Sequence, residues 1–90
     1  MSNTAQAGTL ESMDCLVTAT QGVPGSGVKV EITGSSAARF KSAMEKKVNE
    51  VVVSLGAKDI DLSIQDNGAI DLVLGARVEA ALKKLMGGAK

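Results

Sequence analysis

Between residues 28 and 55 the apolar side chains change their spacing from two to roughly three and a half, and few folds accommodate that switch in so short a chain. Val28-Lys29-Val30-Glu31-Ile32-Thr33 alternates strictly, with Val28, Val30 and Ile32 on one face and Lys29, Glu31 and Thr33 on the other. That pattern defines a strand buried on one side. After Gly34, the side chains of Phe40, Met44, Val48, Val51, Val52 and Leu55 recur along one helical face and predict a helix over about 37–55. Ser35 or Ser36 is expected to supply its N-cap oxygen, and Gly56 its C-terminal stop. A one-sided strand and a one-sided helix must both bury a face, and helices laid on a sheet satisfy the two together.

The flanking segments extend this pattern. Cys15-Leu16-Val17-Thr18-Ala19-Thr20 has β-forming character, and Gly22 to Gly27 reads as a mobile hairpin connector. It lacks the Gly-Lys-Ser/Thr ending of a phosphate loop. Ile60-Asp61-Leu62-Ser63-Ile64 alternates, and so does the start of Ile70-Asp71-Leu72-Val73-Leu74. Face matching across Asp66-Asn67-Gly68 predicts a hairpin with a three-residue loop, pairing Ile64 with Ile70 and Leu62 with Leu72. Leu74, Val78, Ala81, Leu82 and Leu85 form a second helical stripe, ended by Gly87-Gly88. The expected class is therefore α+β, in the order strand-strand-helix-strand-strand-helix, with both helices on one face of a four-stranded sheet. If the second and third strands are parallel, their crossover should be right-handed. Residues 1–90 are expected to make a single domain, with 1–8 a flexible lead-in.

Composition narrows the function. Phe40 is the only aromatic residue and the formal net charge is zero, so neither base-stacking platforms nor a global field favours nucleic acid. The charges are grouped all the same. Residues 37–58 hold five basic and two acidic side chains, whereas 59–71 carry four aspartates and no base, as solvated faces do. There is no histidine, which removes the commonest general base and metal ligand. The single Cys15 can make neither an internal disulfide nor a zinc site. No apolar run approaches membrane-spanning length and no signal-peptide layout opens the chain, so the expectation is a cytoplasmic protein without membrane or metal. It is also a poor candidate for an enzyme.

Two stretches point further. Ala7-Gly8-Thr9-Leu10-Glu11-Ser12-Met13-Asp14 places a hydroxyl between two carboxylates, just ahead of a strand. Serine is a weak nucleophile without an adjacent base, and Glu11 and Asp14 hardly help an alkoxide form, so Ser12 is suited to being modified rather than to catalysing. With Asp66-Asn67-Gly68-Ala69-Ile70-Asp71-Leu72-Val73-Leu74-Gly75-Ala76-Arg77-Val78-Glu79-Ala80, this octet resembles the acyl carrier (gamma) subunit of bacterial citrate lyase. The resemblance is tight in these two stretches and looser over residues 21–56. Gly75 departs from it, standing where relatives often have a basic residue.

The resemblance implies a cofactor and a set of partners. A dedicated prosthetic-group transferase would attach phosphoribosyl-dephospho-coenzyme A to Ser12 through a phosphodiester, and an acetate ligase would acetylate the thiol of that arm. Docked with the alpha and beta subunits of citrate lyase, the carrier would exchange acetate for citrate and return to the acetyl form as oxaloacetate leaves. Within that frame Cys15 is expected to be a small buried strand residue, and Arg77 a solvated side chain or the partner of a carboxylate. Alternatives are the carrier of malonate decarboxylase, a helical fatty-acid-type carrier and a small assembly module with no covalent group.

Overall fold

The computed structural model describes residues 3–87. Its elements are β1 (Thr4–Gly8), β2 (Asp14–Gln21), β3 (Lys29–Gly34), α1 (Ala37–Leu55), β4 (Ile60–Asn67) and α2 (Asp71–Leu85). The four strands form one sheet in the order β1-β2-β4-β3. β2 is antiparallel to both β1 and β4, whereas β3 runs parallel to β4 through the α1 crossover. Period-two patterning decides the sheet's faces. Cys15, Val17 and Ala19 of β2 point the same way as Ile60, Leu62 and Ile64 of β4, and all six are buried. Their neighbours Asp61, Ser63 and Gln65 face solvent. Both helices cover the apolar face, where Met44, Val48 and Val52 of α1 meet Leu74, Val78, Ala81 and Leu82 of α2 in a single aliphatic core.

The α+β class, the four-stranded sheet and the two helices on one face match the expectation, but two elements trade places. The supposed lead-in contains a strand, β1, whose Ala5 and Ala7 pair with Ala19 and Val17. Met1 and Ser2 of that lead-in lie outside the described residues. The expected strand over Ile70–Leu74 is instead the entry and first turn of α2. Asp66 explains the difference. It is the fourth inward-facing position of β4, and its buried carboxylate accepts the backbone N–H groups of Gly68 and Ala69 at 3.0 and 2.9 Å. An Asx turn of this kind bends the chain off the sheet, so Asp66-Asn67-Gly68 opens a helix and not a hairpin. The element order is consequently strand-strand-strand-helix-strand-helix.

Smaller corrections have local causes. Gly22 to Gly27 does not close a hairpin, because β4 lies between β2 and β3. The segment crosses the start of β4, held by Gly22 N–H on the Asp59 carbonyl at 2.6 Å and Gly27 N–H on the Asp59 carboxylate at 2.9 Å. Ser36 occupies the N-cap of α1 without a side-chain cap bond; its own N–H reaches the Asp66 carboxylate at 3.3 Å. Phe40 is 52% exposed rather than part of the buried stripe. The backbone leaves helical geometry there, and Arg39 lies over the ring at 5.2 Å. Gly56 ends α1 in the left-handed conformation, as expected. α2 stops at Leu85, ahead of Gly87; Gly88 lies outside the described residues.

Candidate functional site

Ser12 lies at the turn between β1 and β2, in a loop over residues 9–13. The Asp14 N–H donates to the Glu11 carbonyl at 3.1 Å, which makes Ser12 and Met13 the two central residues of a β-turn. Met13 takes a φ of +65°, a strained choice for a residue with a side chain. Its N–H is anchored to the carbonyl of Asn67 at 2.7 Å. The Asn67 side chain donates its Nδ2–H to the carbonyl of Leu10 at 3.0 Å. A residue at the end of β4 therefore bonds to both limbs of the turn that presents Ser12.

The base of the loop is held from α2. Arg77 makes a two-pronged bond to Asp14, Nε to Oδ1 at 3.0 Å and Nη2 to Oδ2 at 2.9 Å. The geometry suits a planar guanidinium facing a carboxylate. Thr9 Oγ1 donates to the same carboxylate at 2.7 Å and accepts the Glu11 N–H at 3.1 Å. Arg77, Thr9 and the Cys15 N–H hold the Asp14 carboxyl well below the usual carboxylate range. Gly8 lets these groups approach. At its φ of +99° an added Cβ would lie 1.9 Å from the Cys15 carbonyl oxygen and 3.1 Å from Cδ of Arg77.

Among the loop residues Ser12 alone has no hydrogen bond in the structure; Thr9, Leu10, Glu11 and Met13 are all tied. Its side chain is exposed, flanked by the exposed apolar side chains of Leu10 and Met13. No base lies in position to activate the hydroxyl, so the arrangement offers an acceptor for another enzyme's chemistry. Among the described residues no cluster of metal-ligating side chains occurs, and no helix is long and apolar enough to cross a membrane.

The other singled-out residues separate clearly. Cys15 is fully buried on the inner face of β2, as expected of a small strand residue, and burial with the nearby Asp14 and Asp66 charges raises its thiol to about 11. Arg77 is the partner of a carboxylate, and that carboxylate is Asp14. The sequence reading missed Asn67, treated only as a turn former. Its one visible signal was its place in the second motif stretch.

The model of the malonate decarboxylase delta subunit (MdcD) acyl carrier family matches residues 2–85. The citrate lyase acyl carrier protein of Haemophilus influenzae is 42% identical over 77 residues, covering 86% of this chain and 78% of the relative. That of Treponema denticola is 38% identical, covering 89% and 88%, and that of Halothermothrix orenii 31%, covering 97% and 90%. Among solved structures, the Staphylococcus aureus RNase P protein aligns over 94% of this chain and 82% of its own, at a TM-score of 0.46 and 10% identity, a likeness too remote to bear on function. These matches define the chain as an acyl carrier protein, a subunit without catalytic activity of its own. It belongs to the family of citrate lyase acyl carrier proteins.

Proposed function

We propose that the chain is the carrier subunit of a citrate lyase complex and that Ser12 is where its phosphoribosyl-dephospho-coenzyme A arm is attached. One observation supports the site above all: in a loop tied at every other residue, the Ser12 hydroxyl is exposed and without a hydrogen bond. An arm rooted there has open space around it, so the residues present fit such a group. When bound, the arm supplies a terminal thiol that bears acetyl and citryl groups as thioesters while the alpha and beta subunits cleave citrate to oxaloacetate and acetate.

The chain's own contribution is to hold and to present. Its sheet and helices give a rigid body that a partner can dock, and the Asp14–Arg77 pair fixes the root of the tether. A tethered group meets successive active sites at an effective concentration that free diffusion does not provide. With no histidine in the chain, no imidazole stands near the root to promote thioester hydrolysis. The transferase and the acetate ligase of the expected pathway act on this same exposed end, in the cytoplasm.

Reconstitution tests the reading. Added to citrate lyase alpha and beta subunits depleted of their carrier, the arm-loaded chain should restore oxaloacetate production, and the arm-free chain should not. Failure of the loaded chain would overturn the proposal. The name of the matching family model favours one second reading, the carrier of malonate decarboxylase. Restoration of malonate decarboxylation in place of citrate cleavage would select it.

A further inference from the structure

The hydroxyl that accepts the arm must be presented to an incoming electrophile at a defined angle, yet Ser12 occupies an exposed turn, where side chains ordinarily sample many orientations. The bonds around it oppose that freedom. Asn67 bonds to Leu10 before Ser12 and to Met13 after it, through its side chain and its own backbone carbonyl. Met13 keeps a left-handed φ of +65°, which a side-chain-bearing residue retains only when its surroundings over-determine it. One residue further on, Asp14 is gripped by both prongs of Arg77. The end of β4 and helix α2, both distant in sequence from this loop, thus hold Leu10, Met13 and Asp14 around Ser12, and neither bonds to Ser12 itself.

We propose that Asn67, together with the Asp14–Arg77 pair, forms a latch that positions Ser12 for arm attachment. This rests on the functional reading above. In the attachment step the Ser12 Oγ–P bond forms and the bond from that phosphorus to the leaving phosphate or pyrophosphate of an anhydride donor breaks. The leaving group takes the electron pair, and the hydroxyl proton passes to a base of the transferase. The latch has no part in the bond changes. It restricts where Oγ lies while they occur, so these are positioning residues whose loss slows the step without weakening the encounter.

Two substitutions separate the latch from general stability. Asn67→Ala removes the bond to Leu10 but keeps the backbone carbonyl that holds Met13. Arg77→Lys keeps the charge beside Asp14 but loses the two-pronged geometry. With purified transferase and its donor, attachment followed by intact mass should show kcat reduced about ten- to a hundredfold in both variants, with KM for the carrier nearly unchanged. The measurement belongs well below each variant's melting temperature, where a purely structural role would leave kcat alone. Wild-type kcat in both folded variants would overturn the latch, and so would a loss appearing only in KM. Amide exchange provides a check that needs no transferase: the Met13 N–H, bonded to the backbone carbonyl of Asn67, should be protected in the wild type, and a Met13 amide that exchanges freely there would also overturn the latch. If the wild type shows protected Met13 but never accepts the arm, the functional reading fails and the positioning role fails with it.

Discussion

Replacing Gly8 with alanine probes how closely the Ser12 loop is packed. At φ +99° an alanine sits in backbone space that L-residues avoid, at a cost of about 1–3 kcal/mol. The new Cβ would also lie 1.9 Å from the Cys15 carbonyl oxygen, far inside contact distance, and the obstacle is backbone of the paired strand and not a flexible side chain. Strands β1 and β2 must separate there, loosening the Arg77 stem at 3.1 Å as well. Together these effects should destabilise the protein by about 3 kcal/mol or more. For a domain of this size that corresponds to a melting temperature lower by roughly 12–24 °C. Gly27→Ala is the matched control, because Gly27 also has a positive φ, +80°, but no atom within 4 Å of the added Cβ. It should cost about 1 kcal/mol, or roughly 4–8 °C. Thermal and urea unfolding followed by circular dichroism measure both. Equal losses in the two variants would refute the reasoning, since the contacts with Cys15 and Arg77 are what Gly27 lacks.

Three further outcomes follow from the same geometry. Asp66→Ala strips acceptors from the N–H groups of Ser36, Gly68 and Ala69, so urea unfolding should register a loss of about 2–4 kcal/mol, and a loss below about 1 kcal/mol would contradict the role given to that carboxylate. Asp14, whose carboxyl is depressed chiefly by Arg77, contributes stability above its unfolded pKa that is lost as the pH falls through the lower folded value. Stability should therefore decline with acidification from about pH 4 downward more steeply in the wild type than in Arg77→Met, and identical slopes would contradict the pair. Cys15, buried and raised to about 11, should resist a thiol-specific disulfide reagent at pH 8 in the folded state and react at once in denaturant; a fast native reaction would contradict its burial.

Where local pattern and tertiary packing agree, the chain is legible from its residues. α1 begins and ends where its apolar stripe and Gly56 indicate, and β4 alternates inward from Ile60 to Ile64 as written. The misreadings occur where tertiary contacts decide. Thr4-Ala5-Gln6-Ala7-Gly8 has little β-branched character, and it is a strand because β2 pairs with it and α2 packs over it. Ile70 to Leu74 alternates at its start, yet Asp66 captures the preceding amides and turns the chain into a helix whose buried stripe begins at Leu74. At the candidate site, the motif singled out Ser12, and the structure places it exposed in the loop between β1 and β2. The Asp14–Arg77 pair spans sixty-three positions, and no local periodicity joins two such residues. Asn67 looked like a turn former because its bonds reach a loop that only the fold brings near.

The central claim, that Ser12 is the attachment point, reduces to a mass difference. Wild-type chain and Ser12→Ala should be produced in a host that makes both the arm and its transferase, and each weighed intact. The wild type should be heavier than its sequence by the mass of one arm, with the increment mapping to the peptide containing Ser12, while Ser12→Ala should match its bare sequence. A wild type of bare mass, or the same increment on both proteins, would contradict the account.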